Sequence, residues 1–477
     1  MTDRLLVVDG LVVTMDPDRR VIEGGAVLVE AGRIAAVGDT AALRARYPGA
    51  PELNARGKAV LPGLVDAHAH AGHTLVKTLG GGDGAKWTEA VESIYPRGAT
   101  PDFWGADGSL AALERLKAGV TTSLSIFGAY GSRTDEASHA LAHAAGYRRV
   151  GVRHVICPGA SPPPYPNTFF RWDGDSHESV AVTLDRQLAV CEELTQALQD
   201  RDGAMSRVML CAPVAFSGRP GVTPELAQQY DDTAKQVRAL SRSLGVGFTQ
   251  DGHKGGTVRA AAAAGLLGPD ALLSHCIDLH EDEIALIVES GTKVAHNPSA
   301  NFSIIGRCPA IELMEAGATV AICSDGTAPD RSFDMFRHMT QAMHYHRRHF
   351  RDAKVLPPGK ALEMITCDAA AALGMAEEIG SLEVGKRADL ILIDMRKPHL
   401  WPGDMPLYRL VCFALGSDVD TVMVAGRILM AGRAVLSVEE DQVLDDATRE
   451  IGFALDRSGM RHMTVTPESF WKNTRYQ

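Results

Sequence analysis

The chain has 477 residues, with 48 Lys+Arg against 59 Asp+Glu, so its formal net charge is −11 when the histidines are neutral. This acidic balance, without any Lys/Arg-rich run, argues against a nucleic-acid partner, because phosphate binding needs a local excess of positive charge. The hydrophobic fraction of 45% and the charged fraction of 22% are those of a globular protein and exclude a disordered or collagen-like chain. At this length we expect more than one domain.

The sequence predicts a cytoplasmic protein. No apolar run reaches the roughly 18 to 20 residues that cross a bilayer. The first residues meet an acid at Asp3 and lack a small-residue cleavage site, which indicates a first β-strand and not a signal peptide. The eight cysteines have no CxxC spacing and suit reduced thiols better than disulfides. We expect a small-molecule substrate and no membrane partner.

Both ends of the chain show β-strand patterns. Residues 1–60 alternate short apolar runs with Gly-containing turns, which is typical of strands joined tightly. A similar pattern returns over 376–436, and residues 437–477 follow as a helical extension. Two β-rich ends around a long middle predict one small β-sandwich domain built from both termini.

The middle of the chain, residues 61–375, repeats a different pattern. A helical pattern ends at a glycine and an extended run follows, as where 226–244 ends at Gly245 before Val246. Glycine supplies the left-handed position that ends a helix, and the run after it predicts a buried strand. Such units over roughly 300 residues predict an α/β fold of the (β/α)8 TIM-barrel type. No Gly-x-Gly-x-x-Gly follows a strand, which argues against a dinucleotide site.

The strongest functional signal is His68-Ala69-His70, which follows an apolar run. Residues two apart in a strand share a face, so both imidazoles can point to one metal ion. His275, His296 and Asp325 follow later apolar runs, where barrel strands deliver side chains to the active face. Any one of them alone is better explained as a polar loop residue or a cap. Four strand ends that carry His or Asp together predict a metal-dependent site.

These motifs resemble the amidohydrolase superfamily of metal-dependent hydrolases, in the branch of triazine hydrolases and of cytosine- and guanine-type deaminases. Phenylurea and thiocarbamate hydrolases resemble the same branch. The likeness covers nearly the whole chain. It rests on the segments 62–70, 117–122, 273–279, 295–301, 324–326 and 380–390.

The resemblance implies one divalent ion, zinc first and iron, cobalt or manganese as alternatives, held by His68, His70, a fifth-strand His and Asp325. It also implies that Asp325 accepts a proton from a metal-activated water, with His275 beside that water. Members of this superfamily are commonly homo-oligomers, so a homo-oligomer is expected here.

The chain departs from the family pattern at the fifth strand. The family's deaminases usually carry His-x-x-Glu there, whereas this sequence has Gln250 at the place of the His and His253 at the place of the Glu. The register is uncertain by about one residue, which leaves Asp251 and Lys254 as further candidates. We expect Gln250 or His253 to bind the metal and His253 to join Asp325 in catalysis.

The missing Glu decides the predicted reaction. Ring deamination needs an acid that protonates a ring nitrogen and the departing ammonia, whereas an amide, urea or carbamate needs one proton at the leaving amine, which Asp325 can deliver. The sequence therefore predicts hydrolysis of an amide-like C–N bond in a small, largely uncharged substrate. The alternative is a deaminase or triazine-type hydrolase acting on a nitrogen heterocycle. From another class, the alternative is a metal-free scaffold barrel.

Several side chains are candidates for the substrate pocket. The predicted substrate-binding residues are His296, Asn301, Trp87 and Phe302. Three further aromatic residues belong either to the barrel mouth or to the core, namely Phe127, Tyr130 and Phe333. Three histidines at helical spacing beside arginines are expected on a solvated helix face, namely His344, His346 and His349.

Overall fold

The computed structural model describes residues 4–128, 133–199, 205–214, 222–472 and 474. In these ranges the strands are β1 (Arg4–Val13), β2 (Val21–Glu30), β3 (Arg33–Asp39), β4 (Glu52–Asn54), β5 (Lys58–Pro62), β6 (Leu64–Asp66), β7 (Val120–Phe127), β8 (Arg153–Pro158), β9 (Asn167–Asp173), β10 (Ser176–Val182), β11 (Ser206–Ala212), β12 (Gly247–Gln250), β13 (Ala271–Ser274), β14 (Lys293–His296), β15 (Val320–Ile322), β16 (Leu390–Asp394), β17 (Val419–Val424), β18 (Arg427–Ala431) and β19 (Ala434–Val435).

The helices in the same ranges are α1 (Thr40–Arg46), α2 (Gly84–Ser93), α3 (Pro101–Lys117), α4 (Ser138–Val150), α5 (Leu184–Leu198), α6 (Pro224–Leu244), α7 (Thr257–Ala263), α8 (Glu281–Ser290), α9 (Phe302–Ile305), α10 (Ala310–Glu315), α11 (Met335–Phe350), α12 (Pro358–Glu363), α13 (Cys367–Ala372), α14 (Pro406–Phe413) and α15 (Glu440–Ser458). Short turns of 3₁₀ or π type cover Leu79–Gly82, Ile94–Gly98, Pro398–Leu400, Gly416–Asp418, Arg461–Thr464 and Glu468–Trp471.

A parallel sheet of eight described strands forms the barrel, in the order β6-β7-β8-β11-β12-β13-β14-β15. Helices α3, α4 and α6 pack against β7, β8 and β11. At the seam between β15 and β6 the backbone N–H of Asp325 donates to His68 O at 3.0 Å. The barrel is therefore nearly closed, and the predicted (β/α)8 fold is confirmed.

Two helices of the barrel end at a glycine, and one of these ends is the one predicted at Gly245. Helix α6 ends at Gly245 with a φ of 67°, and α8 ends at Gly291 with a φ of 69°. Both angles lie in the left-handed region, where glycine avoids the steric cost of a Cβ. Each glycine returns the chain toward the next strand, so that all eight strands run in the same direction.

The two ends of the chain share a second sheet. Its order is β19-β18-β17-β16-β5-β1-β2-β3, with β4 parallel to β1, and β16 pairs antiparallel to β5. The predicted β domain built from both termini is confirmed, and the described part of it forms a nine-stranded sheet. The proposed boundaries at residues 60, 375 and 436 stay predictions.

Two additions accompany the barrel. Strands β9 and β10 form an antiparallel hairpin after β8, and helix α15 of the C-terminal extension packs against α3. Among the described helices, none is both long and apolar enough to span a membrane.

Candidate metal centre

Side chains from four barrel strands converge at the carboxyl ends of the strands. The cluster consists of His68, His70, Asp251, His275 and Asp325. The two histidines follow β6, and the other three residues follow β12, β13 and β15 in turn. Parallel strands of a barrel end on one face, which is where such barrels place their active sites.

The distances within the cluster fit a metal ion. Asp251 Oδ1 lies 3.2 Å from His68 Nε2 and 3.1 Å from His275 Nε2. His70 Nε2 lies 3.2 Å from Asp251 Oδ2 and 3.1 Å from Asp325 Oδ1. Ligand atoms of a tetrahedral zinc site, with bonds of about 2.0–2.1 Å, lie about 3.3 Å apart. The four separations are close to that value.

His68 provides an independent test of this fit. Its side chain is fully buried, and neither ring nitrogen has a hydrogen-bond partner among the described residues. A buried polar atom without a partner is unfavourable. Nε2 of this ring faces two carboxylates, so a cation between them satisfies the imidazole and both acids at once.

The backbone is strained at two residues of the cluster. His275 has a φ of 64° and Asp325 a φ of 60°, in the left-handed region that non-glycine residues seldom adopt. Such conformations cost about 1–3 kcal/mol each and are concentrated at functional sites. The next residue, Gly326, is sterically required, because a Cβ there would lie 1.7 Å from His73 Nδ1.

The electrostatics of the cluster favour a bound cation. Burial would lower the pKa of His70, but the Asp251 and Asp325 carboxylates raise it to about 10. Burial would raise the pKa of Asp251, yet the surrounding imidazoles hold it well below its ordinary value. The pKa of Asp325 is likewise lowered despite burial, mainly by the charge of Arg331. Both acids are therefore ionised near neutral pH.

Buried groups behind the cluster hold its acids in place. Ser274 Oγ donates to Asp251 Oδ1, and the backbone N–H of Gly326 donates to Asp325 Oδ1 at 2.7 Å. Asp66 accepts from Ser324 N at 3.0 Å and from Ser324 Oγ at 2.6 Å.

Arg115 completes this support. Its Nη2 donates to Asp66 Oδ2 at 3.1 Å, and its Nη1 donates to Tyr147 Oη at 2.7 Å. Sequence reasoning did not select Asp66, Ser324 or Arg115. Asp66 could have been found from its position two residues before His68, which places both side chains on the same face of the strand.

The structure brings one fifth-strand candidate into the cluster, and it is Asp251. Gln250 Nε2 donates to Pro213 O at 3.2 Å, and His253 Nδ1 lies 3.0 Å from Thr257 Oγ1. Burial lowers the pKa of His253 to about 4. Lys254 is exposed. The expected placement of Gln250 or His253 in the cluster is therefore replaced by Asp251, because β12 ends at Gln250 and the chain bends at Asp251.

The predicted pocket residues are divided between the site and the core. The ring of Phe302 stacks on His275 with centroids 4.5 Å apart, and Trp87 meets the edge of His73 at 4.8 Å. Asn301 is exposed directly before α9. Phe127 and Phe333 are fully buried, whereas Tyr130 lies outside the described residues.

His296 is buried beside a histidine of α11. Its Nε2 lies 3.1 Å from His346 Nε2, and both rings are fully buried. The predicted solvated face is therefore wrong for His346, whereas His344 and His349 are exposed. The reason is that one side of α11 packs against the barrel. The arginines beside these histidines made the whole helix resemble a solvent-exposed one.

Imidazoles and carboxylates gathered at the carboxyl ends of barrel strands are the arrangement expected of a metal-dependent barrel enzyme. The chain belongs to the amidohydrolase family. The model of that family matches residues 59–429, and a model of the imidazolonepropionase-like composite domain of bacteria matches residues 25–50. The protein is a hydrolase that acts on carbon–nitrogen bonds other than peptide bonds.

Three similar proteins span almost the whole chain. A 5-methylthioadenosine/S-adenosylhomocysteine deaminase of Syntrophobacter fumaroxidans is 33% identical, over 92% of this chain and 96% of its own. An adenosine deaminase of Xanthomonas campestris, crystallised with bound zinc, has a TM-score of 0.79 at 27% identity, covering 95% and 98% of the two chains. An atrazine chlorohydrolase of Arthrobacter aurescens TC1, complexed with zinc, has a TM-score of 0.76 at 21% identity, with 94% and 100% covered. The suspected membership of the amidohydrolase superfamily is confirmed.

Proposed function

We propose that the protein is a metal-dependent deaminase, which hydrolyses the bond between a nitrogen heterocycle and its exocyclic amino group. The observation that carries this proposal is the 33% identity to a deaminase over 92% of this chain and 96% of that relative. The deaminase reaction, which the sequence analysis gave as the alternative, therefore becomes the first candidate. The amide-like reaction becomes the second candidate.

The metal ligands in this proposal are His68, His70, Asp251 and Asp325, with His275 beside them. When bound, a divalent ion such as zinc supplies a Lewis acid and lowers the pKa of a coordinated water. Asp251 offers a carboxylate where the family resemblance implies an imidazole. Carboxylate ligands also suit manganese, so manganese stays a candidate metal beside zinc, iron and cobalt.

The chain's own acids and imidazoles account for the protons. In the overall reaction a water oxygen bonds to the ring carbon, the C–N bond breaks, and ammonia leaves. Asp325 is proposed to take the proton of the attacking water and to return it to the leaving nitrogen. His275, whose Nε2 lies 3.1 Å from Asp251 Oδ1, is proposed to orient the oxygen that adds to the ring.

Hydrolysis of an amide, urea or carbamate remains the second candidate because of one specific observation. Gln250 and His253 stand where the family's deaminases usually have His-x-x-Glu, and the structure brings neither into the cluster. A substrate whose leaving amine needs one proton requires only Asp325.

A substrate panel tests the proposal. Zinc-reconstituted protein is assayed for ammonia release from adenosine, 5-methylthioadenosine, guanine and cytosine, and for amine release from an anilide, a phenylurea and a carbamate. We expect turnover of an aminoheterocycle, abolished in His68→Ala and retained in His344→Ala, a matched exposed histidine. Turnover confined to the anilide, phenylurea or carbamate would favour the second candidate.

A further inference from the structure

Arg331 is a buried cation at the edge of the metal-binding cluster. Its side chain is only 7% exposed, and its Nη2 lies 3.9 Å from Asp325 Oδ2. It belongs to the segment that follows β15, six residues after the acid. Arginines are seldom buried to this degree unless their charge is paired.

The loop around Arg331 uses one edge of its guanidinium. Nε donates to Gly326 O at 2.7 Å, and Nη2 donates to Ala328 O. A guanidinium has five N–H donors, and the edge formed by Nη1 and Nη2 presents two parallel N–H bonds that match a carboxylate. Nη1 is buried and has no hydrogen-bond partner within the described ranges. The N–H donors of Nη1 are therefore unsatisfied, on the edge of the guanidinium that the loop does not use.

The charges of the cluster lead to the same conclusion. Asp251 and Asp325 bring two negative charges, which match the charge of one divalent ion. Arg331 Nη2 and Asp325 Oδ2, 3.9 Å apart, form an ion pair that is too long for a hydrogen bond, so Asp325 leaves the N–H donors of the guanidinium unsatisfied. Buried N–H donors without acceptors are unfavourable, and an anion that accepts hydrogen bonds from them removes that cost.

We propose that Arg331 is a specificity-determining residue that binds a carboxylate group of the substrate. The substrate is then an aminoheterocycle that carries a carboxylate, and not the largely uncharged molecule that the sequence predicted. The inference deepens the proposed function and rests on it for the location of the substrate. The loop carbonyls orient the guanidinium, so its fork is in place before the substrate arrives.

Two probes of nearly identical shape test this proposal. Binding of 6-aminonicotinate and of its neutral amide, 6-aminonicotinamide, to the zinc-reconstituted protein is measured by titration calorimetry. We expect the carboxylate to bind at least about tenfold more tightly than the amide, as for a charge-assisted bidentate pair. The ratio should fall to near one in Arg331→Met and be intermediate in Arg331→Lys, which keeps the charge but loses the fork.

Arg337→Met serves as the matched control, because Arg337 is exposed on the same segment. Its ratio should equal that of the wild type. If the preference for the carboxylate is absent from the wild type, or persists in Arg331→Met because the metal alone binds the carboxylate, the proposal is wrong. If Arg331→Met does not fold, Arg331→Lys decides, and an unchanged ratio overturns the proposal.

The measurement also separates this inference from the proposed function. Binding is read at equilibrium and does not require turnover. A preference that depends on Arg331 without ammonia release from any aminoheterocycle refutes the deaminase and leaves the carboxylate site standing. Ammonia release from an aminoheterocycle without that preference supports the deaminase and refutes the carboxylate site.

Discussion

Removal of the Asp66 carboxylate tests whether buried charge holds the metal-binding face together. Asp66 is fully buried and accepts hydrogen bonds from Ser324 N, Ser324 Oγ and Arg115 Nη2. Ser324 precedes Asp325, whose own N–H closes the barrel seam at His68 O. Asp66→Ala therefore leaves a buried guanidinium unpaired and removes the anchor of the residue before a proposed ligand.

The expected magnitude follows from these contacts. Breaking a buried ion pair by removing one partner costs about 3–5 kcal/mol. Asp66→Asn keeps the shape and loses the charge, and we expect about 1.5–3 kcal/mol, the contribution of a hydrogen bond to a charged group. Loss of a group that orients a metal ligand typically lowers metal affinity by about 10–100-fold.

The assay separates stability from metal binding. Urea unfolding of metal-free protein gives the change in stability, and competition with a chelator gives the zinc affinity. Asp282→Ala is the control, because Asp282 pairs with Arg259 on the surface and its loss should change neither quantity. The double variant Asp66→Ala/Arg115→Met should be more stable than Asp66→Ala, since both charges are removed together. Unchanged stability and zinc affinity in Asp66→Ala would refute the reasoning.

Four further predictions concern the site and its histidines. His68→Ala should lose both the bound metal and the activity, as measured by elemental analysis and turnover, and a variant with full metal content would exclude His68 as a ligand. Asp251→Ala should lower zinc affinity at least about tenfold while Gln250→Ala leaves it unchanged, and the reverse result would return the ligand role to Gln250. Chelation should abolish turnover and added zinc should restore it, whereas turnover without metal contradicts the proposed chemistry. Burial first, and then the charge of Arg307, lowers the pKa of His346 from 6.5 to about 4. The unfolded chain therefore takes up the proton first, so stability from this group is complete above about pH 6.5 and is lost as the pH falls toward 4. His346→Asn should show a smaller fall in thermal midpoint over that window than the wild type.

The pattern of neighbouring residues in the sequence was sufficient to predict the fold class and part of the metal-binding cluster. Glycine-terminated helices followed by apolar runs predicted the barrel, because helix ends and buried strands depend on neighbouring residues. The pair His68 and His70 and the acid Asp325 were recognisable for the same reason, since a barrel places residues at strand ends on one face. The similar proteins favour the deaminase, which the sequence analysis gave as the alternative, and the preference for an amide-like substrate had been argued from a single missing Glu.

Only the tertiary structure decided which fifth-strand residue joins the cluster and how the acids are supported. Asp251 enters and Gln250 does not, because β12 ends at Gln250 and the chain turns there. No local pattern determines that end to one residue. Asp66 and Ser324 are 258 positions apart and meet only because the barrel closes between β15 and β6. Such contacts depend on how all eight strands pack, so they have no signature in the spacing of residues along the chain.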